Sequence, residues 1–469
     1  MRILKLSFIF IFFALISLPL IGLLWYMEPA ATENKVLAKA PQLTGEKGLN
    51  TSFLADTEQW YADHFAYRQE LVTANALVRA KVLSESAESL AVVGTEGWSY
   101  LAVTLPDYQG TKKLSDRGLY ACARTLSLMR EYTESRGGHF VFASAPNKNT
   151  LYPEHMPYYY KRTKDESNLS RLTPLLDSES ITYADLKSLF EADERVLYHK
   201  GDSHWDNRGA AMVQHELFLK AGKTHTDFTQ LSPTLRDDFV GDIDRILYPQ
   251  ATHPETEYDY GAYMHFTYTD TEDVTANTVR TENPSKEGSL LCFRDSFGNS
   301  LLPFLAEDYQ SAYFSKEVPY RLDYIDALGA DTVIVELVER NLNHLIVMAP
   351  VFPAPPRAVD IDAAEPLQDC DTQFAFEKFE GYYKLYGICD PASLSDTGKI
   401  CISLQSDDAS FVVEATPADE YSNLGEGTDY GFVAYIYENS LPAGNYKVEI
   451  LTETMYTYRY DTGQTITFE

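Results

Sequence analysis

The chain has 469 residues, with 39 Lys and Arg against 69 Asp and Glu and a net charge of −30. So acidic a surface repels phosphate backbones and anionic lipid headgroups, which makes nucleic acid a poor partner. The hydrophobic share of 45% is ordinary for a folded chain, so the acidity does not imply disorder.

In chain order, Arg2 and Lys5 precede an uncharged run from Leu6 to Tyr26. That run is long enough to cross a bilayer, which needs about 20 apolar residues. Positive charge before it places the N-terminus in the cytoplasm, and Trp25 and Tyr26 suit the far interface. A cleaved signal peptide competes with this reading, but its apolar region would be unusually long and Glu28-Pro29 interrupts a small-x-small cleavage site. The expectation is a single-pass cell-membrane protein, N-in, with residues 1–27 as anchor, 28–52 as a polar stalk and the bulk extracytoplasmic.

Residues 53–83 show helical periodicity through Phe53, Trp60, Tyr61, Phe65, Leu71 and Leu77. Leu90 to Gly94 reads as a strand ending in a turn, and Trp98 to Leu101 begins another. Asp116 to Arg136 reads as a helix, capped by Ser115 or Asp116 and stopped by Gly137-Gly138. His139 to Ala145 follows as a buried strand. Ile181 to Asp185 is a strand before a short helix, and Asn207 to Lys220 is a further helix. Residues 227–285 are acidic and rich in Thr and Tyr, and read as an insertion of irregular structure and hairpins. Strand–helix alternation resumes at 289–293, 310–315 and 331–335, which argues for a mostly parallel sheet with helices on both faces. The Pro-rich run after Ala349 marks a linker over 349–372, after which short alternating runs over 373–469 predict a small β-sandwich. The α/β part therefore spans 53–348.

Five cysteines do not make a disulfide framework; Cys370, Cys389 and Cys401 cluster near the C-terminus, where export permits one bridge. No Cys/His spacing of metal type is present.

Two segments carry chemistry. Tyr198-His199-Lys200-Gly201-Asp202-Ser203-His204-Trp205 holds an acid and an imidazole two residues apart, which in extended chain point to the same side. Competing readings are a surface loop with Asp206 capping the next helix, and a metal site of His199, Asp202, His204 and Asp206. The second segment, Leu290 to Gly298, places Ser296 at the C-terminal end of a strand, where α/β sheets carry their active sites. Taken alone, Ser296 is equally an N-cap. Together with Asp202 and His204 it supplies the hydroxyl of a nucleophilic triad. Asn147 and Lys148 follow another strand end; Asn147 reads as a donor to an oxyanion and Lys148 as a binder of an anionic group, with turn chemistry as the alternative. No cofactor is implied.

These residues, taken in order, resemble the SGNH-hydrolase-like family of the alginate O-acetyltransferases AlgX and AlgJ, the DHHW proteins. The resemblance runs through Asn34-Lys35-Val36-Leu37, Asp63-His64-Phe65 with Arg68, Val93-Gly94, and Gly97-Trp98. It continues through Ala145-Pro146-Asn147-Lys148, Asp202-Ser203-His204-Trp205, Arg294-Asp295-Ser296-Phe297 and Val338-Glu339-Arg340. It implies an α/β, three-layer SGNH-like fold and a triad of Ser296 as nucleophile, His204 as general base and Asp202 as its orienter. It implies a structural role for Asp63 and His64. The chain departs from the usual Gly-Asp-Ser block by carrying Arg294, which joins Asn147, Lys148 and Trp205 as candidates for oxyanion or substrate contact. The activity implied is O-acetyl transfer to an exported polysaccharide, with the acyl group delivered by a multi-pass membrane acyltransferase. A carbohydrate esterase with the same triad and a non-catalytic glycan-binding scaffold are the alternatives.

Overall fold

The structure, a computed structural model, describes residues 2–22, 37–45, 48–83, 85–164, 166–368, 370–419 and 429–468. Trp25, Tyr26 and the first part of the expected stalk lie outside the described residues.

The organising element is a seven-stranded sheet. Its strands, in chain order, are β1 (His139–Ala145), β2 (Tyr183–Ala184), β3 (Thr267–Tyr268), β4 (Thr278–Glu282), β5 (Ser289–Phe293), β6 (Ser311–Ser315) and β7 (Thr332–Val338). Their order across the sheet is β2-β1-β7-β5-β6-β4-β3, parallel from β2 to β6 and antiparallel at β4 and β3. The central strands are apolar throughout because both faces are covered. On β1, Phe140 and Phe142 join one core cluster while Val141, Ala143 and Ala145 join the other.

The first face is covered by α4 (Asp116–Ser135) and α5 (Asn168–Ser178), and the second by α6 (Asn207–Ala221) and α7 (Gly298–Ala306). Local chemistry sets these helices: Ser115 accepts from Gly118 N at the start of α4, and Asp206 accepts from Arg208 N and Gly209 N at the start of α6. Within 227–285, β3 and β4 extend the sheet, a hairpin pairs Thr234–Phe239 with Glu255–Asp259, and a short helix covers Asp242–Leu247. The periodic stretch after Phe53 divides into α2 (Phe53–His64) and α3 (Arg68–Val78), broken where Tyr67 takes a left-handed φ of 62°. Asp63 accepts from Ala38 N at 2.9 Å, a structural contact.

Beyond the linker, two antiparallel layers form the C-terminal sandwich. One contains Gln373–Phe379, Tyr382–Ile388 and Gly431–Tyr437; the other contains Ile400–Gln405, Ser410–Glu414, Gly444–Glu453 and Thr457–Phe468. Leu385, Ile402, Ala434, Val448, Ile450 and Phe468 meet between them. The linker is packed rather than free: Val351 pairs with Arg321, Pro353 with Tyr435 and Pro356 with Val413. An ion network closes the same junction. Glu414 takes Arg124 Nε at 2.7 Å and Arg357 Nε at 2.6 Å, and Arg357 reaches Glu131 at 2.5 Å. All five cysteines are free thiols.

The expected membrane anchor is overturned. Among the described residues no helix is long and apolar enough to cross a membrane. Helix α1 (Arg2–Gly22) opens on Arg2 and Lys5, contains Pro19 and ends at Gly22, which lies tight against Ala66 and Tyr67. Its described residues from Leu6 to Gly22 rise about 25 Å at 1.5 Å per residue, less than the roughly 30 Å of a hydrocarbon core. The single-pass, N-in localisation falls with the anchor.

Candidate active site

The carboxyl ends of β1, β7 and β5 lie side by side, and each is followed by a polar turn: Pro146-Asn147-Lys148, Glu339-Arg340 and Arg294-Asp295-Ser296. Such an edge is where a parallel sheet presents catalytic groups. The loop 198–206 crosses it, closed on itself by the bridge between Tyr198 and Trp205.

Ser296, His204 and Asp202 stand in one hydrogen-bonded line. His204 Nε2 lies 2.9 Å from Ser296 Oγ, and His204 Nδ1 lies 2.7 Å from Asp202 Oδ1. Asp202 Oδ1 also accepts from His204 N at 2.9 Å, and Oδ2 accepts from Asp242 N at 2.7 Å. Burial would raise the Asp202 pKa, but the facing imidazole and these hydrogen bonds pull it well below the usual carboxylate range. For His204, burial opposes the charged ring, yet the Asp202 carboxylate outweighs it and the pKa stands above the ordinary histidine value. With Asp202 ionised on Nδ1–H, the neutral ring presents Nε2 as acceptor to the Ser296 hydroxyl.

The surroundings fix this geometry. Phe297 is fully buried and meets the His204 ring edge-on at 4.7 Å and the Trp205 ring at 4.9 Å. Trp205 Nε1 donates to Ser300 Oγ at 2.8 Å, tying the loop to α7. Asp242 was not foreseen in the sequence: its carboxylate accepts from Ser203 N at 2.8 Å and Ser203 Oγ at 2.6 Å. Gly241, before it, packs directly on the Gly201 carbonyl, leaving no room for a Cβ.

The other candidates have different surroundings from those expected. Lys148 is buried, and its Nζ donates to the carbonyls of His199 at 3.0 Å, Lys200 at 2.8 Å and Asp202 at 2.5 Å. It tethers the loop that carries Asp202, and burial pushes its pKa down to about 8. Asn147 is buried as well, donating to Glu339 Oε1 at 2.9 Å and accepting from Arg340 Nη1 at 3.1 Å. Arg294 is buried under the turn and reaches Asn299 and the carbonyls of Val274 and Ala276.

The four residues of the metal reading do not converge. His199 pairs with Glu257 at 3.2 Å and stacks on Phe239, and Asp206 caps α6. Ligand atoms of Asp202, His204 and Asp242 lie within 4.8 Å of one another, but Asp202 and His204 are bonded to each other and Asp242 to Ser203.

A cavity of about 530 Å³ opens above Ser296. Lys316 and Arg340 supply positive charge on its wall and Asp242 and Glu257 negative charge, with Thr275, Asn299 and Phe239 between them. Burial, reinforced by Arg294, pushes Lys316 down to about 8.

Residues 91–291 match the family model described as the SGNH hydrolase-like domain of the acetyltransferase AlgX. The match takes in Asp202 and His204 and ends just before Ser296. Among solved structures, Bacillus cereus PatB1 carrying a sulfonyl adduct is 16% identical over 53% of this chain and 94% of that one, with a TM-score of 0.43. A DHHW family protein from Eubacterium siraeum is 16% identical over 54% and 95%, with a TM-score of 0.40. Pseudomonas aeruginosa AlgX is 13% identical over 79% and 94%, with a TM-score of 0.36. No curated protein matches the chain.

Proposed function

We propose that this chain, which carries an SGNH-hydrolase-like domain similar to that of AlgX, is an O-acetyltransferase that uses a serine nucleophile to acetylate a polysaccharide. The observation that carries the reading is the unbroken line from Ser296 through His204 to Asp202, at 2.9 and 2.7 Å. In it, Ser296 Oγ attacks the acyl carbonyl carbon while its proton passes to His204 Nε2. The carbonyl electron pair moves to oxygen and returns as the C–O bond to the donor breaks. The donor oxygen leaves with the proton from His204, and an acetyl-serine remains. A sugar hydroxyl then gives its proton to His204 and attacks the acetyl carbon; the C–O bond to Ser296 breaks, and Ser296 Oγ leaves with that proton from His204, restoring the hydroxyl and the neutral ring. Asp202 holds the imidazole tautomer and steadies the imidazolium. The acceptor is a polysaccharide hydroxyl, and the donor group is supplied by a multi-pass membrane acyltransferase.

The test uses the purified chain with an activated acetyl ester, with and without an oligosaccharide acceptor. Acetyl found on the sugar, lost in Ser296→Ala, supports the transferase. Free acetate alone, also lost in that variant, makes the protein an esterase. Unchanged turnover in Ser296→Ala removes the acyl-enzyme.

A further inference from the structure

The acyl-transfer step leaves negative charge on the former carbonyl oxygen, and Asn147, bonded to Glu339 and Arg340, lies away from the cavity over Ser296. On the reading of Ser296 as nucleophile, we propose that Asn299 donates to this oxyanion through Nδ2 and that Arg294 is the residue that positions it.

The argument starts from hydrogen-bond chemistry. A guanidinium carries donors only, so whatever atom faces it must accept. Arg294 Nη1 lies 2.6 Å from the Asn299 side chain, which must therefore turn its Oδ1 inward. Its Nδ2 is then directed the other way, and no described group accepts from it. Asn299 lines the same cavity as Ser296, three residues on, and its own N–H donates to Ser296 O at 3.1 Å. That bond closes the turn that leads into α7 and holds the two residues side by side. The amide donor and the nucleophile therefore meet one space.

Arg294 is built for this. It is only 2% exposed, and Nη2 donates to Val274 O at 2.8 Å and Ala276 O at 3.3 Å. Those two carbonyls flank Thr275, which lines the same cavity as Asn299. A Cβ at Gly298 would come within 2.7 Å of the Arg294 Cβ and Cδ, so a glycine there lets the arginine pass beneath the turn. A buried positive charge behind the amide also strengthens its N–H as a donor to developing negative charge.

The decisive variants are Asn299→Asp and Asn299→Ala, assayed with 4-nitrophenyl acetate on the full chain. Aspartate keeps the size and the acceptor for Arg294 but brings no N–H, so a merely structural role survives it and an oxyanion donor does not. Both variants are expected to lose about 10²–10³-fold in kcat with little change in KM, as for removal of one oxyanion donor. Arg294→Gln should lower kcat in the same way, and combining it with Asn299→Ala should add nothing further, because both act through one amide. If Asn299→Asp keeps kcat within about threefold of wild type while Ser296→Ala is dead, this assignment fails and the nucleophile stands. If Ser296→Ala stays active, the acyl-transfer reading fails instead. Should Arg294→Gln not fold, the two Asn299 variants decide alone.

Discussion

Asp202→Asn changes one atom and tests the line of three residues from its buried end. In the native site Oδ1 accepts two hydrogen bonds from His204 and Oδ2 accepts one from Asp242 N. An asparagine has a single acceptor oxygen. If that oxygen stays on His204, its NH₂ confronts the Asp242 N–H, a mismatch of about 1–3 kcal/mol. If it reverses, its NH₂ confronts Nδ1, and the ring must put its proton on Nε2, where it no longer accepts from Ser296. Either way the imidazolium loses its counter-charge. The expected fall in kcat is about 10⁴-fold, or roughly 5.4 kcal/mol at 1.36 per decade. The pH profile moves as well. Wild-type activity should rise with pH through a midpoint above the ordinary histidine value, because Asp202 outweighs burial and only the neutral ring takes the proton. Without that carboxylate burial prevails and the midpoint moves down. Steady-state kinetics on an activated ester across pH measures both. A variant that keeps more than about a tenth of wild-type kcat with an unmoved midpoint would refute the orienting role of Asp202.

Two further predictions concern the frame around the site. Glu414→Gln should cost about 3–5 kcal/mol, since Arg124 and Arg357 would lose the carboxylate they share at a junction where Glu414 is 1% exposed. A denaturant midpoint equal to wild type would show the network to be dispensable. Burial pushes the Glu339 pKa up to about 7, with Asp107 adding to it. The folded state therefore binds the proton that the unfolded chain has already released, so its stabilising share is complete below about 4.5 and is lost as pH rises to about 7. The loss amounts to roughly 3 kcal/mol. Glu339→Gln should thus gain on wild type between pH 5 and pH 8 in melting experiments. A gap that stays constant over that range would contradict the assignment.

What was legible in the sequence had local causes. Apolar runs such as Val141 to Ala145 declare strands buried on both faces, and Ser115 and Asp206 announce their helices by capping. Asp202, His204 and Ser296 were readable because two short segments carry them with few rivals. What was not legible depends on distant partners. Lys148 reads as an anion binder after a strand end, but its role is set by three carbonyls of the 199–202 loop. Arg294 reads as a departure from a Gly-Asp-Ser block until Val274, Ala276 and Asn299 are seen around it. Asp242 lay in a stretch without periodicity, and only its short helix brings it to Asp202. Nor does anything in the residue type at Tyr67 foretell its left-handed turn. At the N-terminus the apolar run of the sequence extends past the helix described for it, α1 over Arg2–Gly22, and the pattern of residue types does not carry that bound.

The most direct test of the account is to trap the acyl-enzyme. The purified chain, mixed briefly with an activated acetyl ester and quenched in acid, is digested and mapped by mass spectrometry. One acetyl group on the peptide holding Ser296, absent in Ser296→Ala and discharged when a sugar acceptor is added before the quench, is the result predicted. Acetyl on another residue with turnover intact, or turnover undiminished in Ser296→Ala, contradicts it.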